Sequence, residues 1–523
     1  MLKIPSVPAG APVWEQFTCT LNGKPAAIHA ARVSKYPYNR VWPGAQRPLD
    51  QTELSGFLSV ESDEPIEVCL EVDRDFDEVV IRPLSKNVRP VWSGRMVEFT
   101  VTEPGSYVVE LDDQHENFTL FVNPVRDFGV SPEEEKVLYF GPGVHHPGNI
   151  EVTSGQTVYI DAEAVVYGTI SAYEAHDVSI LGYGVLDGSE EKRTHPGCYP
   201  WIGRACSGNF PETEENALFK QQLLTDEMLQ LPMREIRRLM DDEGLARGTL
   251  QFWHGEHIRV EGVVLRDSAV FVGRFANVDR LLINNAKSIG MWRYNSDGFD
   301  LLNSRNVVIE NCFLRQFDDC IVVKGVEGFH AWNNENIVVR GCVVWCDWGA
   351  ALELGAETVA PEYKNILFED CDLIRGGEYM RIHHHNCAEI HHIVYRNIRC
   401  EFSKHHHSGV YQHSDELPYT DPKPVTYGRL IALPVVAGGY GEKKAPFVRS
   451  QFYRNGCTHH VRFENIQVYL DDGVPQPRLE FEGVDAEHIV SDVEIIGLYV
   501  NGEKITDPAW LTCNEFTHNI TLK

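Results

Sequence analysis

The chain has 523 residues, 43% of them apolar, 24% charged and 10% aromatic, which is the make-up of a soluble globular protein with ample material for a core. Its 47 Lys and Arg against 76 Asp and Glu leave a formal charge of −29, a field that repels nucleic acid and anionic membrane surfaces. No apolar run approaches the ~18–20 residues needed to cross a bilayer, and "MLKIPSVPAGAPVWEQF" has no continuous apolar segment of the signal-peptide kind. A cytoplasmic location is therefore expected, or a secreted one if a leader has been removed.

From the N-terminus, short strand candidates recur between residues 14 and 123: "EQFTCTLN", "AAIHAARV", "GFLSVES", "IEVCLEVD", "EVVIRPL", "MVEFTVT", "SYVVELD" and "FTLFVNP". Turn pairs such as Asn22-Gly23 and Pro104-Gly105 separate them, a rhythm that predicts a β-sandwich domain over residues 1–130. The polar stretch "VRDFGVSPEEEK" then reads as a linker.

A degenerate repeat follows. Each unit opens on a polar residue, continues with a short alternating strand, and places a small or apolar residue six positions on. It is seen as "DVSILGY" from Asp177, "HIRVEGV" from His257, "RLLINNA" from Arg280, "NVVIENC" from Asn306, "NIVVRGC" from Asn336, "NILFEDC" from Asn365, "HIVYRNI" from His392, "HVRFENI" from His460 and "DVEIIGL" from Asp492. The central starts lie 23, 26, 30, 29 and 27 residues apart, and their sixth positions run Val263, Ala286, Cys312, Cys342, Cys371, Ile398. One strand pattern per 20–30 residues describes a solenoid, and a ladder of equivalent inward residues describes a right-handed parallel β-helix, here over residues 137–523. The 13 cysteines form an odd set without a CxxC pair and serve as small buried residues, not disulfides. Two insertions interrupt the period. One, around 211–245, is "PETEENALFKQQLLTDEMLQLPMREIRRLMDDEG", strongly helix-favouring, with acidic residues first and arginines late as a helix dipole prefers. The other, between His392 and His460, is rich in His, Tyr, Gly and Pro.

Within the repeat, "YNSDGFDLLNSRNVVIENCFLRQFDDCIVVKG" sets Asp297, Asp300, Asp318 and Asp319 against apolar neighbours, where an unpaired carboxylate is costly to bury. "DGFDLL" and "DCIVVK" are second strands of successive turns, so Asp297 and Asp319 should stack about 4.8 Å apart. Asp318 points the other way on an ideal strand unless a bend brings it round. Carboxylates packed so closely raise at least one pKa, giving a protonated acid beside an ionised base, the pairing that glycoside hydrolysis uses.

"NSDG" followed 21 residues on by "DDC" and an apolar strand resembles the signature of the polygalacturonase family, glycoside hydrolase family 28, and that of its dextranase and isopullulanase relative, family 49. The resemblance runs from about residue 137 to the C-terminus and is specific in the aspartate core. It implies a right-handed β-helix that cleaves with inversion, without a cofactor and with no metal, and in family 49 an N-terminal β-sandwich. It further implies Asp318 as general acid, Asp297 and Asp319 holding and deprotonating the attacking water, and Asn295 and Asp300 supporting them. A single rung lies nearer the short carboxylate separation of retaining enzymes, and the inverting expectation comes from the resemblance alone. The sequence departs from family 28 at two places. "CDWGAALELG" puts Trp348 near an expected Gly-His, and "YMRIHHH" keeps Arg381 but sets His383 where a substrate-binding lysine is expected. With the −29 charge, this favours a neutral α-linked glycan or oligosaccharide of the dextran or isomalto-oligosaccharide kind over a galacturonide.

Other residues have both a binding and a packing role open. Trp292 and Tyr294 are either a sugar subsite wall or edge packing; Lys324 and Glu353 either touch substrate or pair with each other at the surface. His383 is a sugar-hydroxyl contact. The triplets at 383–385 and 405–407 cannot each supply three metal ligands, since neighbours on a strand alternate faces. "WHGEH" from Trp253 is weakly suggestive. Rival functions are a calcium-dependent polysaccharide lyase or epimerase, with Arg381 abstracting a proton, and a non-catalytic glycan-binding solenoid. The expected partner is an oligosaccharide or polysaccharide, not nucleic acid or membrane; the sequence is compatible with a homo-oligomer and leaves chain-end preference open, exo-action following if the insertions close one end of the groove.

Overall fold

The computed structural model describes residues 1–35, 49–193, 231–242, 244–326, 328–405, 427–437 and 455–523. Up to Asn123 the strands form two sheets. One has six strands, Leu2–Lys3, His29–Ser34, Thr52–Ser62, Val79–Arg82, Gly105–Leu111 and Asp113–Asn123; the other has five, Phe17–Leu21, Lys24–Ala26, Ile66–Val72, Val91–Ser93 and Met96–Val101. Alternation fixes which side chains meet between them: Leu21, Val60, Ile66, Leu70, Val97, Phe118 and Leu120 are sealed in one core. Asn22-Gly23 closes a two-residue hairpin, Leu21 facing Lys24, with both turn residues at positive φ (49° and 72°), as Asn-Gly favours.

From Val137–Phe140 to Thr517–Leu522 the described residues form a single 31-stranded sheet that winds as a parallel β-helix, three strands to a coil over most of its length. Its corners explain the polar residue that opens each repeat. All nine starts, Asp177, His257, Arg280, Asn306, Asn336, Asn365, His392, His460 and Asp492, sit at φ between 52° and 62°. Five residues on, Gly182, Gly262, Asn285, Asn311, Gly341, Asp370, Asn397, Asn465 and Gly497 are also at positive φ. Each strand is thus bracketed by two left-handed corners, which Gly takes without a Cβ penalty and Asn, Asp and His tolerate best. Arg280 lacks that local chemistry and is held by Glu256 and Asp279. Along the first corner the amides hydrogen-bond from coil to coil, Asn336 Nδ2 to Asn306 Oδ1 (3.0 Å) and Asn365 Nδ2 to Asn336 Oδ1 (3.3 Å).

The next residue turns inward: Val263, Ala286, Cys312, Cys342, Cys371 and Ile398 form a buried column, and the described cysteines are all free thiols. The third strand of each coil, which the repeat did not reveal, is buried on both sides. Phe313–Gln316, Val343–Cys346 and Asp372–Arg375 have the core behind them and the sandwich in front, where Phe57, Val108 and Phe121 pack on Phe313, Val343 and Trp345. Polar groups cross this seam in pairs, among them Arg315 to Ser55 and Asn117 (3.2 and 3.0 Å) and Arg82 to Glu401. The sandwich thus covers the third face and leaves the outer side of the first-strand sheet for chemistry.

Of the expected helical insertion, residues 211–230 lie outside the described residues, and Met233–Asp242 is a helix. Ile236 and Met240 pack on Tyr173, Phe271 and Phe329. The expected order of charge does not hold within it. Asp241 and Asp242 close the helix, because Arg237 and Arg238 reach them one turn on, and these pairs outweigh the dipole preference.

Candidate active site

The acidic residues lie on and just before Phe299–Leu302 and Ile321–Gly325, which pair in parallel in successive coils, each followed by its coil's repeat strand. Phe299 and Leu301, with Ile321 and Val323 one coil on, point into the core, so Asp300 and Lys324 point out. Gly298 N donates to Asp319 O (2.7 Å), which puts Asp297 and Asp319 in register one rung apart. Asp318 sits in the bend before its strand, where its Oδ1 accepts from Asp319 N (3.1 Å), and the bend brings its charge to bear on Asp297. The 319 carboxylate is fixed by the next coil: Ala350 N donates to its Oδ1 (2.8 Å). Gly349 makes that approach possible, since a Cβ there would lie 2.6 Å from the same oxygen.

All four aspartates are buried, and burial is the main force on each proton. It pushes Asp297 and Asp319 up to about 7, Asp297 against the pull of Lys324 and Asp319 with a further push from Glu353. Asp300 and Asp318 are raised well above the carboxylate range, Asp318 by burial and then by Asp297 and Asp319. The column therefore holds protons at neutral pH that isolated carboxylates would have lost.

Cations from later coils reach back to hold it. Lys324 Nζ stands between Asp297 Oδ2 (2.7 Å) and Asp300 Oδ1 (3.0 Å). Arg381 makes a two-pronged pair with Glu353 (Nε to Oε1 2.8 Å, Nη2 to Oε2 2.7 Å) and lies 3.6 Å from Asp319. Of the two roles open to Lys324 and Glu353, the surface pair with each other is not the one the structure shows. Both are buried, Glu353 at 0% exposure, and each takes a different partner, because Lys324 reaches back to the acids of the preceding coil while Glu353 is level with Arg381. His383 faces Glu353 (3.7 Å) and His385 (2.7 Å between Nε2 atoms), whereas His384 turns inward to Thr458 Oγ1 (2.9 Å), the alternation a strand imposes. Among the described residues no group of three or more His, Cys, Asp or Glu has the arrangement to hold a metal ion. His406 and His407 lie outside them.

The other sequence-picked residues divide. Trp292 packs, its Nε1 donating to Asp267 (2.9 Å), and Trp253 of "WHGEH" is fully buried. Asn295, at φ 57°, accepts from Arg193 (3.1 Å). Tyr294 and Trp348 stand together, 5.6 Å between ring centroids. Sequence reasoning passed over Arg193, which also donates to Tyr294 O, Arg274, which is level with Asp300 one coil before it, Phe317 and Gly349. Arg193 lies about a hundred residues upstream of Tyr294 and Asn295, which it holds, and Gly349 and Phe317 look like ordinary turn and core residues, so no local pattern marks them.

Comparison with known proteins adds three findings. Residues 245–410, which contain every acid and cation above except Arg193, match the model described as Glycosyl hydrolases family 28. A stretch of 109 residues is 33% identical to Exopolygalacturonase X-2 of Emericella nidulans, covering 20% of this chain and 22% of that protein, so the chain matches about a fifth of the relative's length. The structure of Dex49A from Penicillium minioluteum superposes with a TM-score of 0.58 at 12% identity over 98% of this chain and 96% of that one, which shows a shared fold through sandwich and β-helix alike. The resemblance carried by "NSDG" and "DDC" is met by these matches: the chain is a β-sandwich joined to a parallel β-helix whose residues 245–410 are similar to the glycosyl hydrolases of family 28.

Proposed function

We propose that the protein is an inverting glycoside hydrolase acting on a neutral α-linked glycan, with oligosaccharides of the isomalto kind as its substrates. Asp318, protonated because it is buried among like charges, gives its proton to the glycosidic oxygen as the C1–O bond breaks. A water held by Asp297 and Asp319 attacks C1 from the other face and passes its proton to one of them, yielding a hemiacetal of inverted configuration and a free alcohol. Lys324 keeps one acid of the set ionised and ready as base. A cytoplasmic enzyme of this kind would meet imported oligosaccharides.

The observation that carries the choice of a neutral sugar is the Arg381–Glu353 pair. The arginine retained from the galacturonide-binding pattern has its guanidinium fork filled by a buried carboxylate, and His383 beside it faces the same carboxylate. A second reading, hydrolysis of galacturonate-containing oligosaccharides, is favoured by the family 28 match and the 33% identity to an exopolygalacturonase. The calcium-dependent lyase is disfavoured by Lys324, whose ammonium occupies the place between Asp297 and Asp300 that a cation would take.

The test is hydrolysis of isomalto-oligosaccharides, panose-type α-glucan fragments, arabino-oligosaccharides and oligogalacturonides by wild type and Asp318→Asn, with and without chelator, the product anomers followed by proton NMR. Inverted sugar released from a neutral glycan, insensitive to chelator and lost in the variant, is the expected result. Cleavage of oligogalacturonides alone replaces the substrate assignment, and an unsaturated or chelator-sensitive product overturns the reaction class.

A further inference from the structure

Beside the acids runs a second column. Tyr294, Phe317 and Trp348 occupy corresponding turns of three successive coils, just ahead of the strands that follow Asp297, Asp319 and Ala350. Their rings touch in sequence: Tyr294 to Phe317 at 6.4 Å, Phe317 to Trp348 at 5.6 Å and nearly parallel (10°), and Tyr294 to Trp348 at 5.6 Å. The backbone holds the step, Trp348 N donating to Phe317 O (2.9 Å). Exposure rises at the end of the column, with Tyr294 at 7%, Phe317 at 1% and Trp348 at 36%. The fourth coil adds no ring. Its register, Ala350 level with Glu378, puts Gly376 and Gly377 at the corresponding positions, and Gly377 lies so close that a Cβ would come 2.3 Å from Trp348 O. The column ends on an indole braced from below, and the corresponding positions of the next turn, Gly376 and Gly377, carry no side chain.

We propose that Trp348 is the platform of a sugar subsite on the C-terminal side of Asp318, on which one pyranose unit of the substrate stacks. The inference rests on the glycan reading above and deepens it. The axial C–H bonds of a pyranose present weakly positive hydrogens, which the negative face of an indole attracts, and the apolar face of the ring leaves water on contact. Phe317 and Tyr294 are positioning residues, since they fix the plane of the indole without reaching the sugar. The contact carries no charge, so it supplies affinity in a site whose own charges are paired internally.

The test compares wild type, Trp348→Ala and Trp348→Phe on isomaltotetraose and on trigalacturonate. It also measures binding of both sugars to Asp318→Asn and to the Asp318→Asn/Trp348→Ala double variant by calorimetry and tryptophan fluorescence. Circular dichroism checks that each variant is folded. For whichever sugar is cleaved, Trp348→Ala should raise KM about tenfold with kcat within about twofold, and Trp348→Phe should recover most of the loss. The single Asp318→Asn variant should bind about tenfold more tightly than the double. Hydrolysis that is lost in Asp318→Asn but indifferent to Trp348→Ala overturns the platform and leaves the hydrolase standing. Binding that depends on Trp348 in a protein without hydrolytic activity supports the platform and overturns the hydrolase. Neither binding nor cleavage overturns both.

Discussion

Two ladders on this β-helix repeat at the same rung spacing and have opposite chemistry. At the corner, Asn306, Asn336 and Asn365 carry amides that can both donate and accept, so Asn365 bonds to Asn336 and Asn336 to Asn306, which donates in turn to Asp279. On the first sheet, Asp297, Asp319 and their neighbours Asp300 and Asp318 are acceptors only when ionised, so stacking them creates repulsion that protons and the cations Lys324 and Arg381 must absorb. A repeat can therefore stack like on like at no cost where the group is self-complementary. Where it is not, repulsion between like charges adds to burial, the larger cause, in raising proton affinity.

Breaking the acidic ladder should have the largest consequence. Lys324→Met removes the ammonium between Asp297 and Asp300 and leaves both acids buried without it. Hydrolysis should fall by at least about a hundredfold, and stability by about 3–5 kcal/mol, as when one partner of a buried pair is deleted. The sign of the pH dependence follows from the direction of the shifts. Asp297 and Asp300 already titrate above their unfolded values, so they favour the native state at low pH and lose that contribution as pH rises through the folded pKa, near 7 for Asp297. Lys324 lowers both, so without it the decline is larger. Thermal unfolding of wild type and variant at pH 5 and pH 8 should show a gap that widens at pH 8, and a gap that narrows would contradict the arrangement.

A smaller change sharpens the comparison by leaving every charge in place. Gly349→Ala introduces a methyl 2.6 Å from both the Asp319 carboxylate oxygen and the Asp319 backbone N, so the carboxylate and the bend that carries it must shift away from Ala350 N. We expect kcat to fall about ten- to a hundredfold, KM to change little and the fold to persist, in steady-state kinetics beside circular dichroism. The smallest effect belongs to the self-complementary ladder. Asn336→Ala loses amide bonds to both neighbours and puts Ala at φ 57°, costing about 1–2 kcal/mol with kcat and KM unchanged.

The fold was legible because its signals are local and repeated. The alternation of the sandwich strands, Asn22-Gly23 at a hairpin, the polar opening of each repeat and the inward column from Val263 to Ile398 all follow from backbone geometry that neighbouring residues impose on one another. The third strand of each coil was not legible, because burial against the sandwich erases its alternation and leaves a short apolar run. The acids were legible as a column for the same reason as the core: a rung repeat read along the sequence gives their stacking directly.

What the sequence alone determined is this periodic framework and the residues at its special positions. Which groups pair was decided only by the tertiary structure. From their places in successive turns Lys324 and Glu353 could equally touch substrate or pair with each other; in the structure the ammonium reaches back to Asp297 and Asp300 while the carboxylate takes Arg381. Arg193 steadies Asn295 from about a hundred residues away, and Gly349 matters because of an oxygen thirty residues earlier. Backbone conformation is set by a few adjacent residues and repeats visibly. Side-chain pairing depends on which groups the winding brings within hydrogen-bond reach, and at that range sequence distance carries no information.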